Sequence, residues 1–433
     1  MKPSTTTSRT KQDIIAQLFQ QKIPENEWNT AAIRYILSYM SSMDSNNFTR
    51  KANIGEREGR CFSDMVAKRN FYFLHGIGRS GDLTEPQPKA IGSSILYKLT
   101  NELLNGLMTV YGIDLKCLLI PIPLGVSLML CLSTINLQKR LAEYVIWFRE
   151  DNEFIFKSII NGGFTPIILT TKVEISDVKL LEEKIKEIDM QKVCCLISTT
   201  CSLPQKPNDI VGISQVCKKY AIPHIIVSDH GLQCTKIMEK IKKANESGKV
   251  DAVLYNASEN LLVPTGSSVV ASFDNTLLAE IAKTYPGRAS SSSTIDIFIS
   301  LLSLGKNGYL KLLHDKERLC RYFQESLSPL ADKYKKFITS VMTNPTSVAL
   351  FFSGNIPDLS RLKQVLRRSP SINVYFLTTR ESKTLSNYKF EEWGTHGAVC
   401  TMPLIVFRLS LGTSQNDIDN ILENLDLCLS KTK

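Results

Sequence analysis

Arg57, Arg60, Arg69 and Arg79 fall within NIGEREGRCFSDMVAKRNFYFLHGIGRSGD, residues 53–82, among Gly55, Gly59, Gly76, Gly78 and Gly81. Glycine lets a backbone come close to a ligand, and a guanidinium presents a planar fork of donors to an oxyanion. This combination is the chemistry of anion binding, with phosphate the first candidate. The run HGIGRSGD is neither a GxxxxGK[ST] loop nor a GxGxxG that follows a strand and opens a helix, so it predicts no nucleotide fold. Ion pairs of Arg57 and Arg79 with Glu56, Glu58 or Asp82 are the competing account of the same residues. A second loop-held arginine, Arg288, lies in the Pro–Gly turn of TYPGRAS, and a site at the top of a sheet could bring it to the first.

A third candidate is Asp229–His230–Gly231, which closes the apolar run PHIIVSDHG. A carboxylate at the C-terminal end of a strand lies where α/β sheets bind ligands. A pyridoxal-phosphate enzyme needs an acid for the pyridinium nitrogen and a lysine for a Schiff base. The segment expected to carry that lysine, DAVLYNASENLLVPTGSSVVASF, contains none, and Lys249 and Lys283 flank it. There is no CxxC, GxSxG or HExxH, and the five histidines show no ligand spacing, so no metal site is expected.

The elements that must position these residues follow from texture. From Lys116 the sequence alternates short apolar runs, CLLIPIP, EYVIWF, TPIILT, KVCCLIST, PHIIVS and DAVLYN, mostly with helical stretches between them. That alternation predicts an α/β fold with a mostly parallel sheet covered on both faces. SSVVASF is a further strand for which an antiparallel direction is open. Helical patterns fill 11–42, broken at IPENEW, and continue at about 292–305 and 309–333. The last hundred residues predict a smaller α/β unit, with strands SVALFF and LIVFRLSL and helices IPDLSRLKQVLRR and SQNDIDNILENLDLCLS. The expected division is a helical extension over 1–45, a large domain over 46–305 and a linking helix with a small domain over 306–433.

Composition sets outer bounds. The chain has 433 residues, 43% hydrophobic and 22% charged, which suits a globular protein with a large core. No window is long and apolar enough to span a membrane, and the polar N-terminus lacks a secretory signal, so a cytoplasmic location is expected. The eleven cysteines read as reduced core residues. A net charge of +10 suits an acidic partner such as nucleic acid, and a solvated surface with a modest bias is the simpler account of it. The helix expected over 357–368 places Arg361, Lys363, Arg367 and Arg368 on a basic face able to contact nucleic-acid phosphates.

The stretches PENEW, MDSNNF, GEREGR, HGIGRSGD, QPKAIGSS, IPHI, YPGRAS and LLSLGKNGY together resemble the O-phosphoseryl-tRNA(Sec) selenium transferase family, SepSecS or soluble liver antigen. The resemblance runs from about residue 11 to about 325, and NLDLCL is similar to the family's closing helix. It implies the aspartate-aminotransferase type of pyridoxal-phosphate-dependent transferase fold and a tetramer with sites between subunits. It further implies conversion of phosphoseryl-tRNA(Sec) to selenocysteinyl-tRNA(Sec) with selenophosphate as donor.

By the resemblance, Arg57 matches the cofactor-contacting arginine and Glu56 an acid that filters out free amino acids. Arg79, Ser80, Gln87 and Arg288 match the cluster that holds the phosphoseryl phosphate. The cofactor side departs from the family. NASEN stands where the family carries a lysine-bearing stretch, so Glu259 occupies the Schiff-base lysine position. Leu124 replaces a hydroxyl donor, Asn152, Glu153 and Phe154 replace a Gln–Lys–Ser run, and Val227 and Ser228 replace two asparagines. Three readings follow: an authentic selenium transferase, a degenerate homologue that keeps phosphate or tRNA binding or an assembly role, and a new chemistry on the phosphate site.

Overall fold

The computed structural model describes residues 16, 22–48, 59–171, 175–200, 207–335, 338–344, 346–353, 372–377, 382–394 and 403–430. Asn29 opens helix α1 (Thr30–Ser41), its side chain accepting from Ala32 N at 2.9 Å, and Ile33, Ile36, Leu37 and Met40 form the buried face. Helices α2 (Asp64–Arg69) and α3 (Ile91–Met108) follow. Strands and helices then alternate: β1 (Lys116–Ile120), α4 (Leu124–Gln138), β2 (Tyr144–Phe148), α5 (Glu153–Asn161), β3 (Thr165–Leu169) and α6 (Asp177–Ile185). The alternation continues through β4 (Val193–Thr199), α7 (Ile210–Lys219), β5 (His224–Val227), α8 (Thr235–Ser247), β6 (Ala252–Asn256), α9 (Ala257–Leu261), β7 (Ser268–Ser272) and α10 (Asn275–Thr284).

These strands form a seven-stranded sheet of order β1-β7-β6-β5-β4-β2-β3. The β2–β3, β2–β4, β4–β5 and β5–β6 pairs are parallel, and β1–β7 is antiparallel. Every residue of β4 is buried, as the continuous apolar run requires of a strand covered on both faces. The mostly parallel, doubly covered sheet is the expected one.

The chain forms two compact units. One comprises Met1–Pro123 with Leu261–Leu310, the other Leu124–Asn260 with Lys311–Lys433.

In the first unit, α3 closes the edge of β1. Asn101 Oδ1 accepts from Leu119 N at 2.7 Å, Asn105 Oδ1 accepts from Cys117 N at 2.8 Å, and Tyr97 donates its hydroxyl to Leu119 O at 2.6 Å. One stripe of a helix thus satisfies groups that an edge strand leaves bare. PENEW docks on LLSLGKNGY: Trp28 N donates to Leu302 O at 2.8 Å, Lys306 N to Pro24 O at 2.8 Å and Asn307 N to Glu25 O at 2.9 Å. The receiving helix, α11 (Ser292–Lys333), breaks at Gly305, whose φ of 59° and ψ of 179° are not helical. A Cβ there would stand 2.6 Å from the Asn26 carbonyl carbon, so the motif needs glycine at that point.

In the second unit lies an antiparallel sheet of order β10-β13-β9-β8, built from β8 (Ile338–Asn344), β9 (Ser347–Phe352), β10 (Ile372–Leu377) and β13 (Leu404–Leu409). The hairpin β11 (Lys383–Leu385)–β12 (Tyr388–Phe390) precedes β13, and α12 (Gln415–Ser430) follows it. Leu319, Phe323 and Leu327 of α11 pack with Phe407, Ile418 and Leu425 in the core beside this sheet. The sequence reading expected only β9 and β13 here. The helix expected over 357–368, with Arg361, Lys363, Arg367 and Arg368, lies outside the described residues.

Candidate phosphate site and strand-end cluster

Arg79 and Asp82 exchange both backbone hydrogen bonds, at 2.9 Å each, and close a two-residue turn over Ser80 and Gly81. Both turn residues are left-handed, with φ of 52° and 84°, as such a hairpin requires. At Gly78, φ is +80° and a Cβ would stand 2.5 Å from the Asp82 carbonyl oxygen. The Arg288 loop joins this hairpin directly: Ile77 N donates to Ala289 O at 2.8 Å, and Ala289 N to Ile77 O at 3.1 Å. Arg288 then donates Nε to Gly78 O at 3.2 Å and Nη2 to Gly76 O at 3.4 Å.

Arg79 and Ser80 are exposed, and Arg288 and Gln87 are half-buried. Of the competing pairing partners, Asp82 accepts with its Oδ1 from Thr84 N at 2.8 Å and Thr84 Oγ1 at 2.7 Å, and Glu56 and Glu58 lie outside the described residues. Gln87 sits on the next limb, where its N–H donates to Ser94 Oγ at 3.0 Å and its carbonyl accepts from Ala90 N at 2.9 Å. The structure therefore places Arg79, Ser80 and Arg288 on adjoining loops of one unit, with Gln87 at the start of α3. Glu56 and Arg57 lie outside the described residues.

The second unit gathers ionisable groups beyond the ends of β2, β5 and β6. Glu150 follows β2, Asp229 and His230 follow β5, and Glu259 lies in α9, which begins directly after β6. Arg408 of β13 contributes the cation: its Nη1 donates to His230 Nε2, and its guanidinium lies 5.6 Å from the Tyr375 ring centre. An arginine only donates, so Nε2 accepts and the His230 proton is on Nδ1. Burial first, then the Arg408 and Lys316 cations, hold His230 well below the ordinary imidazole value. Its Nδ1 is 3.9 Å from Glu259 Oε2, too long for a hydrogen bond, and it has no other hydrogen-bond partner.

Removal from water pushes Asp229 up to about 6; the Glu259 charge adds to the rise, and Arg408 opposes it. Removal from water likewise pushes Glu150 up to about 7, with Asp229 adding to the rise and Arg408 and the Thr199 hydroxyl opposing it. Asp229 Oδ1 is buried with no hydrogen-bond partner. The cluster is held in place from behind: Asn260 Nδ2 donates to Asp229 O at 2.6 Å and to Asn256 O at 2.7 Å, and Gln233 Nε2 to Glu259 O at 2.7 Å. Buried Lys316 donates Nζ to Gln233 O at 3.1 Å.

Leu124 is the buried first residue of α4, and Val227 is the buried last residue of β5. Ser228 Oγ meets Thr200 Oγ1 at 2.6 Å. Asn152 caps α5 by accepting from Phe154 N at 3.3 Å, Glu153 pairs with Lys157 at 2.5 Å and with Lys383, and Phe154 lies against Gly125.

The sequence model of the family described as O-phosphoseryl-tRNA(Sec) selenium transferase, SepSecS, matches residues 43–430. The chain belongs to this family. The Dictyostelium discoideum protein of the same description is 35% identical, over 96% of this chain and 92% of that protein. The crystal structure of archaeal O-phosphoseryl-tRNA(Sec) selenium transferase (SepSecS) superposes with a TM-score of 0.84 at 30% identity, covering 99% of this chain and 100% of the other. More distantly, Lactobacillus brevis glutamate decarboxylase has a TM-score of 0.60 at 10% identity, covering 100% of this chain and 95% of the other, a likeness of fold alone. The fold is that of the pyridoxal-phosphate-dependent transferases.

Pyridoxal phosphate is the cofactor of the SepSecS family, and the strand-end residues of this chain do not fit it. No lysine occurs from Asp251 to Ala282, so the segment after β6 offers no amine. Glu150 and Asp229 both feel the Arg408 guanidinium and each other's charge, Glu259 adds to the negative charge on Asp229, and a phosphate-bearing ligand would add to that repulsion. Among the described residues no group of His, Cys, Asp and Glu could hold a metal ion, and no helix is long and apolar enough to cross a membrane.

Sequence reasoning found Asp229 and Glu259 but missed Glu150 and Arg408 as their neighbours. The available signal was a charge inside an apolar strand, Arg408 in LIVFRL, a placement that normally requires a partner.

Proposed function

We propose that this chain recognises the phosphate of a phosphoseryl group carried on tRNA(Sec) and does not perform the pyridoxal-phosphate-dependent transfer of its family. The observation that carries this reading is the carboxylate cluster at the strand ends, with Glu259 at the position where the resemblance places the Schiff-base lysine. A carboxylate has no nitrogen with which to bond an aldehyde, and the covalent activation that an amine supplies is lost with it.

The phosphate side supports retained recognition. Arg79 is exposed at the tip of its hairpin, and Arg288 is oriented by the Gly76 and Gly78 carbonyls on the adjoining loop. Glu56 as a substrate filter and assembly as a homodimer or homotetramer complete the proposal by family resemblance, while Arg57, the match to the cofactor-contacting arginine, has no such role in it.

The test is to purify the protein with excess pyridoxal phosphate, record its visible absorption, reduce with borohydride and map adducts. A colourless protein with no modified lysine is expected, and phosphoseryl-tRNA should show no turnover. A yellow protein with an adduct on any lysine, buried Lys316 included, would return this chain to the active transferases.

A further inference from the structure

We infer that the corner Asp44–Ser45, just beyond α1, positions the phosphate site by fixing the Arg79 hairpin and the Gln87 limb against one another. This rests on the phosphate reading above and assigns a task to MDSNNF, none of whose side chains belongs to the proposed anion cluster.

The Gln87 limb runs into α3, and the first N–H groups of a helix lack partners within it. Its cap residue, Ala90, has no side chain to offer them. Asp44 supplies the acceptor from 49 positions away: Oδ1 accepts from Ser93 N at 3.0 Å and Oδ2 from Ser93 Oγ at 2.6 Å. Its carboxylate is buried, which pushes it above the ordinary carboxylate value, and the Ser93 hydrogen bonds at the helix start oppose that rise. The fit is close, since a Cβ on Gly92 would stand 1.8 Å from the Met40 carbonyl oxygen. The backbones are joined as well, with Asp44 bridged to Ala90 and Ser45 N donating to Lys89 O at 2.9 Å.

The next side chain turns to the other limb. Ser45 Oγ lies 3.1 Å from Nε2 of buried His75, which immediately precedes Gly76 and the Arg79 hairpin. Asn46 and Asn47 each donate Nδ2 to Tyr72 O at 3.1 Å, further anchoring the approach to that hairpin. Asn47 Nδ2 also donates to Ser41 O at 2.7 Å, which returns the corner to α1. Four consecutive side chains thus bind two loops that carry different members of the anion cluster.

Thermal unfolding of the full chain with increasing inorganic phosphate separates positioning from plain stability. A ligand that binds only the folded state raises Tm in proportion to its affinity. The unaltered protein should show this increment, and Arg79→Ala should lose it. Ser45→Ala removes one hydroxyl and should unfold near the original temperature without phosphate, yet bind phosphate about fivefold more weakly. Ser45→Thr should restore binding. Asp44→Asn should lower both the phosphate-free Tm and the affinity, and Ser45→Ala decides the matter if that variant does not fold. Unchanged phosphate affinity in Ser45→Ala overturns the inference while the phosphate reading stands. Absence of an increment in the unaltered protein overturns the phosphate reading and the inference with it.

Discussion

Around Arg79 the backbone fixes position: Gly76, Gly78, Ser80 and Gly81 are all left-handed, the turn closes on itself, and Ile77 is bridged to Ala289. Around Asp229 side chains and their charges do so, with two carboxyls pushed into the near-neutral range and His230 kept neutral beside Arg408. The difference bears on how a family member diverges. A loop set by backbone sterics keeps its shape through changes in nearby side chains. A site set by charge changes character with one substitution, because each charge is felt by all of its neighbours. On the proposed reading, phosphate recognition rests on the backbone-held loop and the loss of cofactor chemistry on the charge-held strand ends.

The most forceful way to break this comparison is at Gly78. Alanine would carry a Cβ 2.5 Å from the Asp82 carbonyl oxygen at a φ of +80°, and the hairpin cannot absorb both. Gly78→Ala should cost about 3 kcal/mol, measured by urea unfolding, and abolish phosphate-dependent stabilisation. A variant of ordinary stability that still responds to phosphate would show that side chains, not backbone, hold the corner.

The second prediction concerns the charge-held region. Glu150 rises from the ordinary 4.5 to about 7 on folding, so the folded protein holds its proton more tightly than the unfolded chain. The stabilising contribution is complete below about 4.5 and is lost as pH rises through about 7. Asp229, rising from 3.8 to about 6, acts in the same sense over a lower window. Glu150→Gln should therefore leave stability unchanged near pH 4 and raise it by about 2 kcal/mol at pH 8. Equal stability of the two proteins at pH 8 would mean that Arg408, Thr199 and bound water already accommodate the ionised Glu150.

Much of the frame was legible in the sequence, for physical reasons that differ from element to element. β4 could be read because a strand buried on both faces has to be apolar at every position, as VCCLIST nearly is. The break in α11 could be read between about 305 and 309 because Gly305 interrupts a helical pattern there. β10 and the β11–β12 hairpin escaped notice, since Asn373, Lys383 and Lys389 dilute the apolar signal of short strands. In the candidate site, the hairpin arginine and Arg288 were legible through glycine and proline, which mark turns locally. Glu150, Asp229 and Arg408 were not legible as neighbours, because strand order alone brings together residues 79 and 179 positions apart. Asp44 was visible only as part of a motif, since its partner Ser93 lies on a different element.

The smallest effect offers the finest resolution of the comparison. Glu259 is 36% exposed at its side chain, so solvent screens it and its removal should change stability by less than about 1 kcal/mol. Its negative charge nevertheless contributes to the elevation of Asp229, after burial and against Arg408. Glu259→Gln keeps the shape and retains an oxygen facing His230 Nδ1, so only the charge is lost. The Asp229 titration, followed by NMR of its side-chain carboxyl carbon, should move down from about 6 towards 3.8. At pH 8, where Asp229 is ionised in both states, relief of repulsion should make the variant slightly more stable. Near pH 3, where Asp229 is protonated in both, the difference should vanish. Added salt should shrink the shift, because Glu259 is the exposed partner of the pair. A titration that does not move on Glu259→Gln would assign the elevation of Asp229 to burial alone, and the strand-end region would then be shaped by desolvation and not by the mutual repulsion of its carboxylates.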